Sequence, residues 1–491
     1  MLQAADYPDA SLRVFDRPPA PARESVRDIY LIGICGKGMG ALAELLAGAG
    51  YRVRGSDVAA YPPMSTRLAS AGIPVLEGFD PAHLDPAPDV VVVGNAATPT
   101  HAEAAAARDR GLVQLSMPEA LSHFFLRGRR PLVVAGTHAK TTTTGMLAHI
   151  LSEAGLAPGF FIGGELAATG ETARAGAGPP FVVEGDEYDS AYFDKRPKMW
   201  LYQPAGAVVT SMEYDHADIY ADWSDYRSAF ETFAGFVPQR GVLALNGDDP
   251  TVLALARHTN ARVRTYGIDG PADVTTGGIR AADGGQYFRI EANGSEAAAF
   301  LPLGGRFNVS NALAATTLAL DEGVPLATAV AALGTFRGMR RRQEVAGDVA
   351  GVLVVDDFAH HPTAVAATIA GVRERWPGRR VVAVFEPRSN SSRRRLFEAP
   401  YAEALGGADA AFLSSPPLRH NDDPADFLDP EAVASGAALR GTTASAHAGS
   451  AALLPALLDE LRAGDIALVM SNGSFDGLVT TLVEALRRRE A

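Results

Sequence analysis

The sequence predicts an α/β protein built from three units in series, and three observations carry that prediction. Apolar runs of strand length, among them residues 29–34, 89–94, 181–184 and 381–385, alternate with helical stretches along the chain, which is the pattern of parallel sheets covered by helices. Two glycine-bearing turns, at 33–40 and 136–145, each join such a strand to a helix. Basic punctuation at 127–130 and 340–342 divides the chain, and 491 residues exceed what one core organises.

The elements follow in order. Residues 1–26, rich in Pro, Ala and Asp, read as a flexible arm. A first unit, 27–128, opens with the strand at 29–34, turns through glycines into a helix over 39–49, and continues with a strand at 52–55 that ends at Asp57. This is the start of a small doubly wound domain. From 131 a new strand leads into AGTHAKTTTTG (135–145) and a helix over 142–154. Strands at 181–184, 207–210 and 242–245, a Gly-rich strand section over 262–303 and a helix near 309–322 complete a central unit, 129–337. The third unit, 338–491, carries strands at 352–355, 381–385, 410–413 and 466–470.

Composition narrows the function. A net charge of −13 argues against a general nucleic-acid or anionic-membrane binder. The single cysteine, Cys35, rules out an internal disulfide and a cysteine-rich zinc site. No run of about 18 apolar residues and no basic leader is present, so a cytoplasmic protein without a membrane span is expected.

Six motifs carry chemistry. Gly36-Lys37-Gly38-Met39-Gly40 places backbone N–H groups and a helix N-terminus where a diphosphate binds, with Asp57 where a ribose-binding acid falls. Asp57 reads equally well as a turn residue, and from this segment alone a nicotinamide enzyme stays open. Gly136-Thr137-His138-Ala139-Lys140-Thr141-Thr142 has the form of an ATP phosphate loop, in which Lys140 neutralises the β and γ phosphates and the Thr141 hydroxyl reaches Mg2+. Ala139 stands where such loops carry glycine. A positive φ there costs about 1–2 kcal/mol, and an ordinary turn costs little.

Four acids in EGDEYD (184–189) end a strand, and Glu184 is the best candidate for a metal carboxylate, with a solvated acidic turn as the alternative. Asp215-His216 follows another strand end and offers a further ligand. Asn308 and Asn311, three apart at a helix start, share a face from which amides can address an adenine edge, although Asn308 also reads as a helix cap. Arg341 and Arg342 suit a phosphate clamp or a solvated linker.

In this order GTHAKTTT, EGDEYD, DHAD, FNVSNALAA (307–315) and DDFAHHPT (356–363) resemble the motifs of the Mur ligase family of peptidoglycan enzymes, over nearly the whole chain beyond the N-terminal arm. The resemblance implies three domains: a Rossmann-like UDP-binding domain, a central P-loop ATPase-like domain and a Rossmann-like C-terminal domain. It implies catalysis by Lys140, Glu184 and His216. The metal ligands would be Thr141, Glu184 and His216. ATP contacts would come from residues 136–142, Asn308, Asn311, Arg341 or Arg342, and Asp357, and UDP-sugar contacts from residues 36–40 and Asp57.

SDVAAYPPMST (56–66), FEPRSNS (385–391) and LVMSNGSFDGL (468–478) further resemble the member type that joins UDP-N-acetylmuramate to the tripeptide L-alanyl-γ-D-glutamyl-meso-diaminopimelate, with Arg388, Ser389, Asn390 and Ser391 meeting the amino component. The alternative is the type that adds L-alanine. Both substrates are small molecules, and a monomer or weak dimer is expected. Ser211 and Phe307 depart from the family's usual Asn and His.

Overall fold

The computed structural model describes residues 14–60, 62–215, 219–416 and 426–490. The first sheet has five parallel strands in the spatial order Val75–Glu77, Arg52–Asp57, Asp28–Ile32, Val90–Val93, Gln114–Ser116. Helix α1 (Lys37–Gly48) covers it, burying Leu42, Leu45 and Leu46 on the strand residues Ile29, Leu31 and Val92.

The N-terminal segment differs from expectation where it is described. Phe15 packs on Tyr192 and Phe193, and Arg17 makes a two-pronged ion pair with Glu119. One aromatic ring and one forked cation tie down a stretch whose composition alone reads as loose.

The central sheet has ten strands. Its middle is parallel, with Gly206–Val209, Arg130–Ala135, Pro180–Gly185 and Gly159–Phe161 side by side. One edge is an antiparallel meander, Val274–Ala282, Gly285–Ala292 and Ser295–Leu301. Helices α2 (Lys140–Glu153) and α3 (Arg306–Asp321) lie on one face, where Met146, Leu147, Ile150, Leu151, Leu313 and Leu318 bury against Leu132, Val134 and Val208. Both helices begin two to three residues earlier than the apolar pattern suggests, because polar residues fill their first turns.

Register positions the site. Ala135 pairs with both Gly185 and Val209, so three neighbouring strands end at one height. The phosphate loop, the acidic turn and the segment from Thr210 therefore leave the same sheet edge together, where ligands of parallel sheets bind. The third sheet has six strands, parallel except for the edge strand Glu344–Val349. Helix α4 (Pro362–Arg375) follows its strand Val352–Asp357.

Candidate active site

The phosphate loop is fixed from below. Gly136 has φ 136°, and a Cβ there would collide with the Thr210 side chain. Thr137 Oγ1 lies 2.7 Å from the hydroxyl of buried Tyr226. The Thr210 hydroxyl donates to the carbonyls of Ala135 and His138, and the His138 amide donates to Ser211 Oγ at 3.0 Å. Ser211, the departure from the family's Asn, thus still supports the loop with a side-chain acceptor.

Ala139 is left-handed, φ 68° and ψ −7°, at the N-cap of α2. The methyl carries the strain that glycine avoids, about 1–2 kcal/mol, against the roughly 0.5–1 kcal/mol by which glycine's freer unfolded chain destabilises. Ala139→Gly is therefore expected to raise stability by up to about 1 kcal/mol in urea denaturation while leaving nucleotide binding intact. A loss of stability would count against the left-handed geometry.

Lys140 heads α2 and is almost wholly buried. Its Nζ donates to the carbonyl of Gly136 at 2.6 Å and to the Glu187 carboxylate at 2.8 and 3.1 Å. Burial pulls its pKa down, but Glu187 and Asp186 outweigh that and hold it above the usual value, so it stays charged. The other acids of the turn are also matched to lysines: Asp186 to Lys198 and Asp189 to Lys195. Glu184 alone of the four has no ion-pair partner among the described residues. It accepts from Thr141 Oγ1 at 2.8 Å and from the Gly163 amide at 2.7 Å. Burial, reinforced by Asp186, raises its pKa, the mark of a carboxylate short of positive charge.

The donor set fits Mg2+. Thr141 and Glu184 present hard oxygens, and octahedral Mg2+ with bonds near 2.0–2.1 Å sets adjacent ligands roughly 2.9 Å apart, against 2.8 Å here. His216 lies outside the described residues.

A cavity of 260 Å³ opens beside the loop, lined by His138, Ala139, Thr142, Asn308, Asn311, Arg342 and Asp357 among others. Asn308 is three residues inside α3, not its cap, which is Gly305. Its Nδ2 donates to the Gly304 carbonyl at 2.8 Å and its Oδ1 accepts from Asn311 Nδ2 at 3.2 Å. Asn308 therefore orients Asn311, which keeps a second N–H and its carbonyl to address a base edge. Phe307 closes the wall by packing on Gly305 and Gly371.

Asp357 accepts from the amides of Gln343 and Ala359 at 2.8 and 2.7 Å. The two arginines diverge. Both lie over Phe358 and line the larger cavity, but Arg341, at φ 57°, is tied to Asp356 and to the carbonyls of Ser471 and Gly473, and only Arg342 also lines this cavity.

The larger cavity, 660 Å³, draws on all three units: Lys37, Gly38 and Arg67 from the first, residues 137–141, Glu184 and Asp186 from the second, and residues 340–342, His360, His361 and Asn472 from the third. Gly36 caps α1, but Met39 and Gly40 face inward, Gly40 packing on Met64. Asp57 lines neither cavity and accepts from the Cys35 amide at 2.8 Å, so it braces the glycine turn.

Arg388, Ser389, Asn390 and Ser391 line neither cavity either. Arg388 packs on Gly473, beside Asn472, and reaches Glu386 at 3.3 Å. Glu187, Tyr226 and His361 escaped the sequence reading of the site. Glu187 had a signal in its place among the acids of EGDEYD and His361 in its place in DDFAHHPT, whereas Tyr226 had none.

A phosphate loop, a hard-oxygen pair and a cleft lined by three units define a class: nucleotide-driven enzymes that activate one substrate for attack by another. Family models match as the Mur ligase family catalytic domain over 28–129, the Mur ligase middle domain over 134–319 and the Mur ligase glutamate ligase domain over 341–473. The chain belongs to the Mur ligase family, whose members are ATP-dependent ligases that form amide bonds. It is 37% identical to the UDP-N-acetylmuramate–L-alanyl-γ-D-glutamyl-meso-2,6-diaminoheptandioate ligase of Haemophilus influenzae, covering 94% of this chain and 100% of that one. It is 38% identical to the UDP-N-acetylmuramate–L-alanine ligase of Halorhodospira halophila, with 93% of each chain covered. The crystal structure of a murein peptide ligase from Psychrobacter arcticus superposes with a TM-score of 0.71 at 34% identity, over 94% of this chain and 98% of that one.

Proposed function

We propose that the protein joins the lactyl carboxylate of UDP-N-acetylmuramate to the amine of L-alanyl-γ-D-glutamyl-meso-diaminopimelate, at the expense of ATP. The observation that carries this reading is the larger cavity, which opens the phosphate loop to the glycine turn of the first unit and to the third unit at once. A carboxylate is a poor electrophile. Transfer of the γ-phosphoryl group to it gives an acyl phosphate, attack by the amine expels phosphate, and the amide forms with loss of the amine's proton.

Lys140 holds the charge of the transferring group from the loop. Arg342 faces the same space from the third unit, Asn311 addresses the adenine edge and Asp357 the ribose. Lys37 and Gly38, at the start of α1, receive the UDP diphosphate. Thr141 and Glu184 would hold Mg2+, which would neutralise phosphate charge. Closure of the three units on the cleft would exclude water from the acyl phosphate. The residues at 388–391 act behind Asn472 to shape the amine's end of the cavity.

The L-alanine ligase is the second reading, since a relative of that name is 38% identical to this chain, against 37% for the tripeptide ligase. Phosphate release with ATP, Mg2+ and UDP-N-acetylmuramate decides between them. Release that depends on the tripeptide and not on L-alanine is expected; dependence on L-alanine alone overturns the proposal.

A further inference from the structure

His138, Glu213 and His361 meet where the third unit touches the phosphate loop. His138 Nε2 lies 2.7 Å from Glu213 Oε2, His361 Nδ1 lies 3.4 Å from the same oxygen, and the two rings are 4.8 Å apart. One donor atom from each residue falls within 4.8 Å of the others. We propose that these three side chains form a binding site for one borderline divalent cation of the Zn2+ class, bridging the phosphate loop and the third unit, separate from the Mg2+ centre.

The donor set selects the ion. Two imidazoles and one carboxylate suit Zn2+, Co2+ or Ni2+, whereas Mg2+ takes oxygens. Tetrahedral zinc with bonds near 2.0–2.1 Å spaces its ligands roughly 3.3 Å apart, so displacements of a few tenths of an ångström to about 1.5 Å close the set. The site is prepared for a cation: His361 Nδ1 is buried and has no hydrogen-bond partner among the described residues. The Glu213 carboxylate, within reach of both rings, is the anionic member of the set.

Each ligand is fastened. Glu213 sits on a backbone pinned by Thr137, whose hydroxyl accepts from the Glu213 amide at 2.9 Å. His361 precedes α4 and packs edge-on against Phe397. His360 is turned away, its Nδ1 directed at the Phe358 carbonyl at 3.0 Å, and takes no part. His138 and His361 line the larger cavity, which leaves an entry path and a fourth position for water. None of this relies on the ligase reading, and the test uses neither ATP nor substrates.

The test is calorimetric titration of the full chain with Zn2+ in millimolar Mg2+, with Co2+ as a spectroscopic probe. One equivalent of Zn2+ is expected, with the visible ligand-field bands of four-coordinate Co2+, and His361→Gln is expected to weaken binding at least about a hundredfold. Glu184→Gln should leave it unchanged. If His361→Gln fails to fold by circular dichroism, Glu213→Gln carries the same expectation. No stoichiometric binding, or binding lost in Glu184→Gln and retained in His361→Gln, overturns the proposal.

Discussion

Replacing Lys140 with Met is expected to lower ATP-dependent phosphate release by about two to three orders of magnitude, as removal of one preorganised charge from a transferring group does. The same change has a second effect. Glu187 is only 1% exposed and Lys140 is its partner, and removing one member of a buried pair destabilises by roughly 3–5 kcal/mol. Lost activity in the single variant is therefore ambiguous.

The double variant Lys140→Met, Glu187→Gln resolves it, because no uncompensated buried charge remains. Stability measured by urea denaturation should return most of the way, and phosphate release should stay low. Activity that returned together with stability would make Lys140 a structural residue and remove it from the phosphoryl-transfer machinery.

The fold was legible where local pattern suffices. Apolar runs gave away the parallel strands, and glycine turns marked both strand-to-helix junctions, because these depend on residues close in sequence. The strand section over 262–303 was legible as strands but not as an antiparallel meander, since pairing direction is not a local pattern, and the three-residue error at α3 arose because polar residues such as Arg306 and Asn308 start a helix that hydrophobic periodicity cannot see. In the site, residue types were legible and partners were not. Lys140 finds Glu187 across 47 residues because two strands end level, and no local motif encodes that register.

Arg341 and Arg342 are indistinguishable by sequence. Both line the larger cavity, but the left-handed backbone at Arg341 ties its guanidinium to the carbonyls of Ser471 and Gly473, and only Arg342 also lines the smaller one. Asp57 braces the glycine turn and Arg388 packs on Gly473, and neither these nor Ser389, Asn390 and Ser391 line either cavity.

Glu184→Gln is expected to lower phosphate release at least about a hundredfold and to raise the Mg2+ concentration needed for what remains, since Gln keeps the shape but not the charge that a hard cation requires. Its effect on stability should run opposite to that of Lys140→Met. Burial holds Glu184 above its ordinary pKa, so ionisation at neutral pH opposes folding. Gln removes that opposition and can still accept from Thr141 or Gly163. In metal-free buffer the variant should be as stable as the parent or more so.

Glu187→Gln is the comparison, because its carboxylate already balances a lysine and its loss should destabilise. Two acids three residues apart in one turn are thus expected to answer the same substitution with opposite signs. Only a carboxylate kept short of cations within the chain behaves as Glu184 should, and a clear loss of stability in Glu184→Gln without metal would place it with Glu187 as a structural charge.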